Sequence, residues 1–267
     1  IVASVSCIYG IGDPETYEKS MIRLRVGETY NIKKILMQLV EMQYTRNEMD
    51  FKRGSFRKHG DVLEIIPANE KKEGIRIEFF DEEVERISLF DTVTGRANKD
   101  MEYISIFPAT HFVTDKEKLE IAISRIKAEL AMQIEKFKSE GKPLEAERIE
   151  QRTKYDIEML EQMGFCSGVE NYSRHLSLRE AGETPATLID FFKKDFLLVV
   201  DESHVTLPQV RGMYNGDRSR KESLVNFGFR LPSALDNRPL KFNEFEGKLD
   251  KVIYVSATPG DYELNKT

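Results

Sequence analysis

The spacing of hydrophobic positions changes along this chain, and each change predicts a different kind of structure. Ile1-Val2-Ala3-Ser4-Val5 is an apolar run that reads as a short strand, and Gly10, Gly12 and Pro14 turn the chain within residues 1–15. Between Asn31 and Glu41, Ile32, Ile35, Leu36, Leu39 and Val40 form one stripe at helical spacing. Short alternating segments follow at Phe51–Arg57, Asp61–Ile66, Ile75–Phe80 and Val84–Phe90. Turns at His59-Gly60-Asp61 and from Lys71 to Gly74 predict hairpins between them. Residues 16–113 are therefore expected to form a compact α+β unit.

A longer period takes over next. Leu119, Ile123, Ile126, Leu130, Ile134 and Phe137 step by fours and threes, with charges on the other faces. Gly141 and Pro143 interrupt that seam, and a second helix is expected to carry Ile149, Tyr155, Met159, Leu160 and Met163. The pair should pack antiparallel within residues 114–184, with the stripe serving as core. Near the end of the chain the alternation disappears. Phe196-Leu197-Leu198-Val199-Val200 and Lys251-Val252-Ile253-Tyr254-Val255 read as strands buried on both faces, as in a parallel sheet.

Each of those runs leads straight into polar residues that can do chemistry. The first ends in Asp201-Glu202-Ser203-His204, and open α/β sheets bind ligands at the carboxyl ends of their strands. Asp201 is a candidate to hold Mg²⁺, and Glu202 to orient or deprotonate an attacking water. An acidic cap after a core strand is the alternative. The second run ends in Ser256-Ala257-Thr258-Pro259. Arg211, Arg218, Arg220 and Lys221 lie just beyond the carboxylates, as a solvated basic loop or as phosphate contacts to DNA or nucleotide. Tyr214 could stack on a base. His175, next to Arg174, reads as a satisfied polar residue without a catalytic role.

The D-E-x-H and S-A-T elements, in this order, resemble motifs II and III of a superfamily 2 helicase. In that family the Ser and Thr hydroxyls, matching Ser256 and Thr258, link the nucleotide site to the nucleic-acid groove. Longer strings narrow the resemblance. They run from Asp201 to Gln209, from Gly212 to Lys221 and from Gly228 to Pro239. Ser6-Cys7-Ile8-Tyr9-Gly10-Ile11-Gly12 and the segment from Gly164 to His175 extend them. Together they resemble the UvrB family, the damage-verifying B subunits of the bacterial nucleotide excision repair excinuclease, over essentially the whole chain.

That resemblance implies an α/β fold. Residues 1–15 and 185–267 would form part of a RecA-like P-loop NTPase domain of the superfamily 2 helicase type. Residues 16–113 would form an inserted α+β partner-binding domain, and residues 114–184 a helical region packed on the motor. It implies ATP and Mg²⁺ as cofactors, with damaged DNA, a UvrA-type A subunit and a UvrC-type nuclease as partners. Relatives present basic residues on the inserted domain to an acidic surface of the A subunit, and the matching positions are Arg46, Arg53 and Arg57. Family members commonly carry Arg where this chain has His59, so the chain departs from the family pattern at that contact. No G-x-x-x-x-G-K-[ST] phosphate loop occurs. The chain is therefore expected to be an internal piece of a larger ATPase, inactive in hydrolysis by itself. A transcription-repair coupling factor, another superfamily 2 helicase, or a stand-alone interaction module are the alternatives.

Composition adds limits. The 267 residues are 40% apolar and 32% charged, which fits a globular protein with a highly charged surface. The net charge of −6 conceals local patches: residues 18–60 carry ten Lys/Arg against five Asp/Glu, and residues 61–110 carry six against twelve. Cys7 and Cys166 lie far apart in different contexts, which points to neither a zinc site nor a disulfide framework. No apolar run approaches the ~20 residues of a membrane span, and no signal peptide is evident. A reduced, cytoplasmic setting is expected.

Overall fold

The computed structural model describes residues 1–49, 51–70, 72–112, 114–192 and 194–266. Lys71, where one expected turn begins, and Val113 and Thr267, which close expected regions, lie outside the described residues. The fold is mixed α/β and divides into two compact units, Glu15–Val113 and a second made of Ile1–Pro14 with Thr114–Thr267.

The unit formed by residues 15–113 begins in α1 (Pro14–Lys19), followed by β1 (Ile22–Arg25), which pairs antiparallel with β8 (Tyr103–Ile106). Asn31 caps α2 (Ile32–Glu41) by accepting from the Lys34 N–H at 3.0 Å. The buried face of α2 is narrower than its sequence suggests. Ile35 and Leu39 are buried and Ile32 and Leu36 partly so, whereas Val40, about 100° further round from Leu39, is 55% exposed.

Six strands form the main sheet in the order β2 (Thr45–Arg46), β3 (Ser55–His59), β4 (Val62–Ile66), β5 (Glu73–Phe80), β6 (Glu83–Asp91) and β7 (Ala97–Met101). All neighbours are antiparallel except β2 and β3. Alternation puts Leu63, Ile65, Ile75, Ile77 and Ile87 into one core with Ile35 and Leu39 of α2. Glu64, Arg76 and Ser88 occupy the opposite face. The β3–β4 turn needs Gly60, whose φ is +56°. The strand expected from Phe51 starts only at Ser55.

In the second unit the expected N-terminal strand is replaced by a 3-10 turn at Val5–Ile8, with Ile1 and Val2 fully exposed. An apolar run becomes a strand only where a neighbouring edge can pair with it, and among the described residues none does here. Asp115 caps α3 (Lys116–Ser139), and α4 (Pro143–Met163) closes at Gly164 in the left-handed region. The two pack face to face through Ile123, Ile126, Leu130 and Phe137 on α3 and Ala146, Ile149, Ile157 and Leu160 on α4. Tyr155 and Met163, expected on that seam, point outward because the true stripe of α4 runs 146, 149, 153, 157, 160.

After α5 (Ser173–Leu176), β9 (Leu197–Val200) pairs in parallel with β10 (Lys251–Tyr254), in register Leu197↔Lys251 through Val200↔Tyr254. Neither strand is buried on both faces as expected, since Leu197 and Val199 are 55% and 53% exposed. Among the described residues β9 and β10 pair only with each other. Val200 joins Leu207, Val210, Leu240 and Phe245 in the core beneath. The basic segment after β9, read as a solvated loop or as phosphate contacts, is a long helix, α6 (Ser203–Asn226), followed by α7 (Phe242–Gly247) and, beyond β10, α8 (Asp261–Lys266).

Candidate functional site

The ladder between β9 and β10 continues beyond both strands and draws their polar tails together. Val255 N–H donates to the Val200 carbonyl at 2.9 Å, and Ser203 N–H donates back to the Val255 carbonyl at 3.0 Å. Asp201 and Glu202 lie between these two bonds, exposed, at the mouth of α6. The partial positive charge of a helix N-terminus favours acidic side chains there. Thr206 Oγ1 donates to the Asp201 carbonyl at 2.8 Å, and the Glu202 N–H donates to Asp201 Oδ1 at 3.0 Å. Glu202 itself has φ +45° and ψ +50°, the left-handed region, which a residue with a Cβ adopts at a cost.

The two residues after Glu202 are tethered to the segment after β10. Ser256 Oγ accepts from the Thr258 N–H at 3.1 Å and lies 2.8 Å from His204 Nδ1, so its own proton can go to that nitrogen. His204 Nδ1 is in turn 3.5 Å from Glu202 Oε2. Ser203, fully buried, donates its hydroxyl to Glu263 Oε1 at 2.7 Å, and Gly260 N–H donates to Glu263 Oε2 at 3.2 Å. The bond from Ser203 is the main reason the Glu263 carboxyl is held below the ordinary glutamate range. The structure thus gathers Asp201, Glu202 and Ser256 into one place. The Thr258 side chain is exposed, and its backbone joins the network.

The basic residues of α6 have different fates. The Arg211 guanidinium stacks 4.3 Å from the Phe242 ring centroid and 5.0 Å from that of Tyr262. Arg218 pairs with Glu222 at 2.6 Å, and Arg220 with Asp217 at 3.3 Å. Lys221 is buried, bonded to Asp217 Oδ2 at 2.9 Å and to the Asn237 carbonyl, and burial lowers its pKa. It braces the interior and is not placed to meet a phosphate at the surface. The Tyr214 ring has Arg238 and Lys241 over it at 5.3 and 5.2 Å. His175 sits 2.8 Å from Glu129 Oε2, deep inside the unit.

In the unit of residues 15–113, Arg46, Arg53, Arg57 and His59 lie on or beside the β2–β3 edge. Arg46 and His59 share Glu48, at 3.1 and 3.5 Å. Arg57 does something else. Its Nε donates to Glu64 Oε2 at 2.6 Å while Arg76 Nε donates to Glu64 Oε1 at 2.8 Å, and its guanidinium rests 4.2 Å from the centre of the Phe51 ring. Burial alone would raise the Glu64 carboxyl, but the bonds from Arg57 and Arg76 outweigh it and hold the pKa low. Arg57 is therefore part of the sheet's own architecture as well as a candidate contact.

Two family models match this chain: the UvrB interaction domain over residues 22–112 and the UvrB third helical domain over residues 117–178. UvrABC system protein B of Geobacillus kaustophilus is 59% identical over 264 residues, which is 99% of this chain and 40% of that protein. The chain belongs to the UvrB family. UvrABC system protein B of Francisella tularensis is 60% identical over 267 residues, all of this chain and 40% of that protein. The Staphylococcus aureus (strain Mu50) protein is 58% identical over the same span. The chain spans about two fifths of the length of these relatives. No helix among the described residues is long and apolar enough to cross a membrane.

Sequence reasoning did not single out Ser203 or Glu263. The available signal was weak: Pro259-Gly260 breaks the chain after S-A-T, and an acidic first turn opens the short helix beyond. Nothing in that spacing says that Glu263 turns back onto the D-E-x-H turn.

Proposed function

We propose that this chain supplies part of the nucleotide site and the partner-docking unit of an ATP-driven subunit in bacterial nucleotide excision repair. The observation that carries this reading is the joining of the two strand-end motifs: the Ser203 N–H next to Glu202 donates to the Val255 carbonyl next to Ser256, and Ser256 Oγ lies 2.8 Å from His204 Nδ1. In a RecA-like motor of superfamily 2 type, such a link would let the state of a bound nucleotide reach the DNA groove. The donor set suits Mg-ATP: two exposed carboxylates at a strand end match a hard cation that takes one or two carboxylates and completes its shell with phosphate oxygens and water. No group of three or more metal-binding side chains occurs among the described residues, so such a mode would depend on the nucleotide. Bound Mg²⁺ would neutralise charge on the transferring phosphoryl group. Asp201 would hold the ion, and Glu202 would orient the attacking water and accept its proton. Damaged DNA, a UvrA-type subunit and a UvrC-type nuclease are the partners proposed for the whole protein, with the A subunit met by the β2–β3 edge.

The test is ATP turnover by a full-length UvrB-family protein carrying this segment. Glu202→Gln should leave Mg-ATP binding within a few-fold but lower kcat by about a hundredfold or more, as expected for loss of a general base. Asp201→Ala should weaken metal-dependent nucleotide binding as well. Wild-type kcat in both variants would reject the reading.

A further inference from the structure

Glu202 is held in a conformation that its own chemistry does not favour, so something around it must impose that geometry. Residues in the left-handed region persist where the surroundings over-determine them. On the N-terminal side Val200 is fixed by Val255 and the Asp201 carbonyl by Thr206. On the C-terminal side two bonds hold the neighbouring residue, Ser203: its N–H to the Val255 carbonyl and its hydroxyl to Glu263. Glu263 is itself buried and anchored by the Gly260 N–H, so it offers Ser203 a fixed acceptor rather than a mobile one. Among the described residues, Glu263 is the acceptor for the Ser203 hydroxyl.

We propose that Glu263 is a positioning residue for the Glu202 carboxylate, acting through Ser203 to hold the turn after β9 in its left-handed geometry. The proposal rests on the ATPase reading given above. With the acceptor removed, the buried Ser203 hydroxyl would be unpaired, and the Glu202–Ser203 peptide, held at its N–H by Val255 and at its carbonyl by the Val205 and Thr206 N–H groups, would lose the side-chain tether that helps keep Glu202 in the left-handed region. The Glu202 carboxylate would then leave its place while Asp201, pinned from the other side, stays. A displacement of about 1 Å in a catalytic group can cost on the order of a hundredfold in rate.

The experiment is steady-state ATP hydrolysis in the same full-length protein, with circular dichroism and melting curves as folding controls. Glu263→Ala should lower kcat tenfold or more with KM for Mg-ATP changed less than threefold. Glu263→Gln, which keeps an oxygen for Ser203, should recover most of the rate. Ser203→Ala should show the same kcat loss, and the Ser203→Ala/Glu263→Ala double variant no more than the worse single one. If Glu263→Ala does not fold, the Ser203→Ala rate and the Glu263→Gln rate decide the matter. A folded Glu263→Ala or Ser203→Ala protein with wild-type kcat overturns the inference, and so does a loss that Glu263→Gln fails to restore. Glu202→Gln separates the two levels of argument. Should it retain turnover, the ATPase reading fails; should it lose turnover while Glu263→Ala and Ser203→Ala do not, only the positioning role fails.

Discussion

Arg238 shows how one buried charge is made tolerable. Its guanidinium is 4% exposed and sends Nη1 and Nη2 to the two oxygens of Glu244 at 2.7 and 2.8 Å. Thr184 Oγ1 and the Lys241 N–H also donate to that carboxylate. Burial pushes Glu244 upward, but the Arg238 hydrogen bond and those from Lys241 and Thr184 outweigh it and hold the carboxyl at about 2, against an ordinary 4.5. A depressed carboxylate stabilises the fold above its unfolded pKa, and that contribution is lost as pH falls through the folded value. The Glu244 share should therefore be complete above about pH 5 and disappear between there and about pH 2. Glu244→Gln strands the Arg238 charge and should cost about 3 kcal/mol at pH 7, the low end for breaking a buried pair. Urea unfolding at both ends of this range should show the gap between wild type and variant closing in acid, and a gap that stays constant would contradict the linkage. The Thr184 contact was not legible beforehand, because Thr184 and Glu244 meet only once the chain has closed across 60 residues.

At the scale of elements, legibility followed burial. The α3 stripe was readable because helix packing buries one face at a fixed period, and Ile123, Ile126, Leu130 and Phe137 all fall on it. By contrast β7, Ala-Asn-Lys-Asp-Met, buries almost nothing and exists because β6 offers it an edge, so no pattern announces it. Helix α6 was hidden by its own breakers: Pro208, Gly212 and Gly216 argue for a loop, yet Leu207, Val210 and Val225 are buried and the helix runs through all three. Glycines near this helix also separate tolerance from necessity. Gly228, just past its end, has φ +72°, and a Cβ there would come within 2.5 Å of the Glu145 carbonyl oxygen on the first turn of α4. Gly228→Ala should cost about 2 kcal/mol or more, since it adds strain to a clash with backbone that cannot swing away. Gly212→Ala meets nothing within 4 Å and should stabilise by about 0.5–1 kcal/mol through helix propensity. Thermal melts of the two variants should move in opposite directions; a shared direction would mean that the helix ends elsewhere.

Across the whole molecule, net charge is a poor guide and its distribution a good one. The chain carries −6 overall, yet Arg46 and Arg53 place exposed positive groups along one strand edge of residues 15–113. That unit has its own core, from Ile22 and Leu24 to Ile106, as a separately folding region requires. The chain has no phosphate loop, so the expected division of labour is plain: alone it should show no ATP turnover above a Glu202→Gln control, while partner docking should survive. Docking by complementary charge sets encounter rate and register, and it weakens as the Debye length falls from about 10 Å to 3 Å between 0.1 and 1 M salt. Calorimetric titration of the chain with a UvrA-type subunit should show that weakening. The structure also distinguishes the candidate residues. Arg46→Glu faces Glu48 at an exposed site, so it should lower affinity tenfold or more with little change in melting temperature. Arg57→Glu would set a second carboxylate against buried Glu64 and leave Arg76 to neutralise both, so it should lose stability together with affinity. The informative comparison is therefore Arg46→Glu with Arg53→Glu: a double reversal that melts like wild type and still binds at full strength would move the docking surface off the β2–β3 edge.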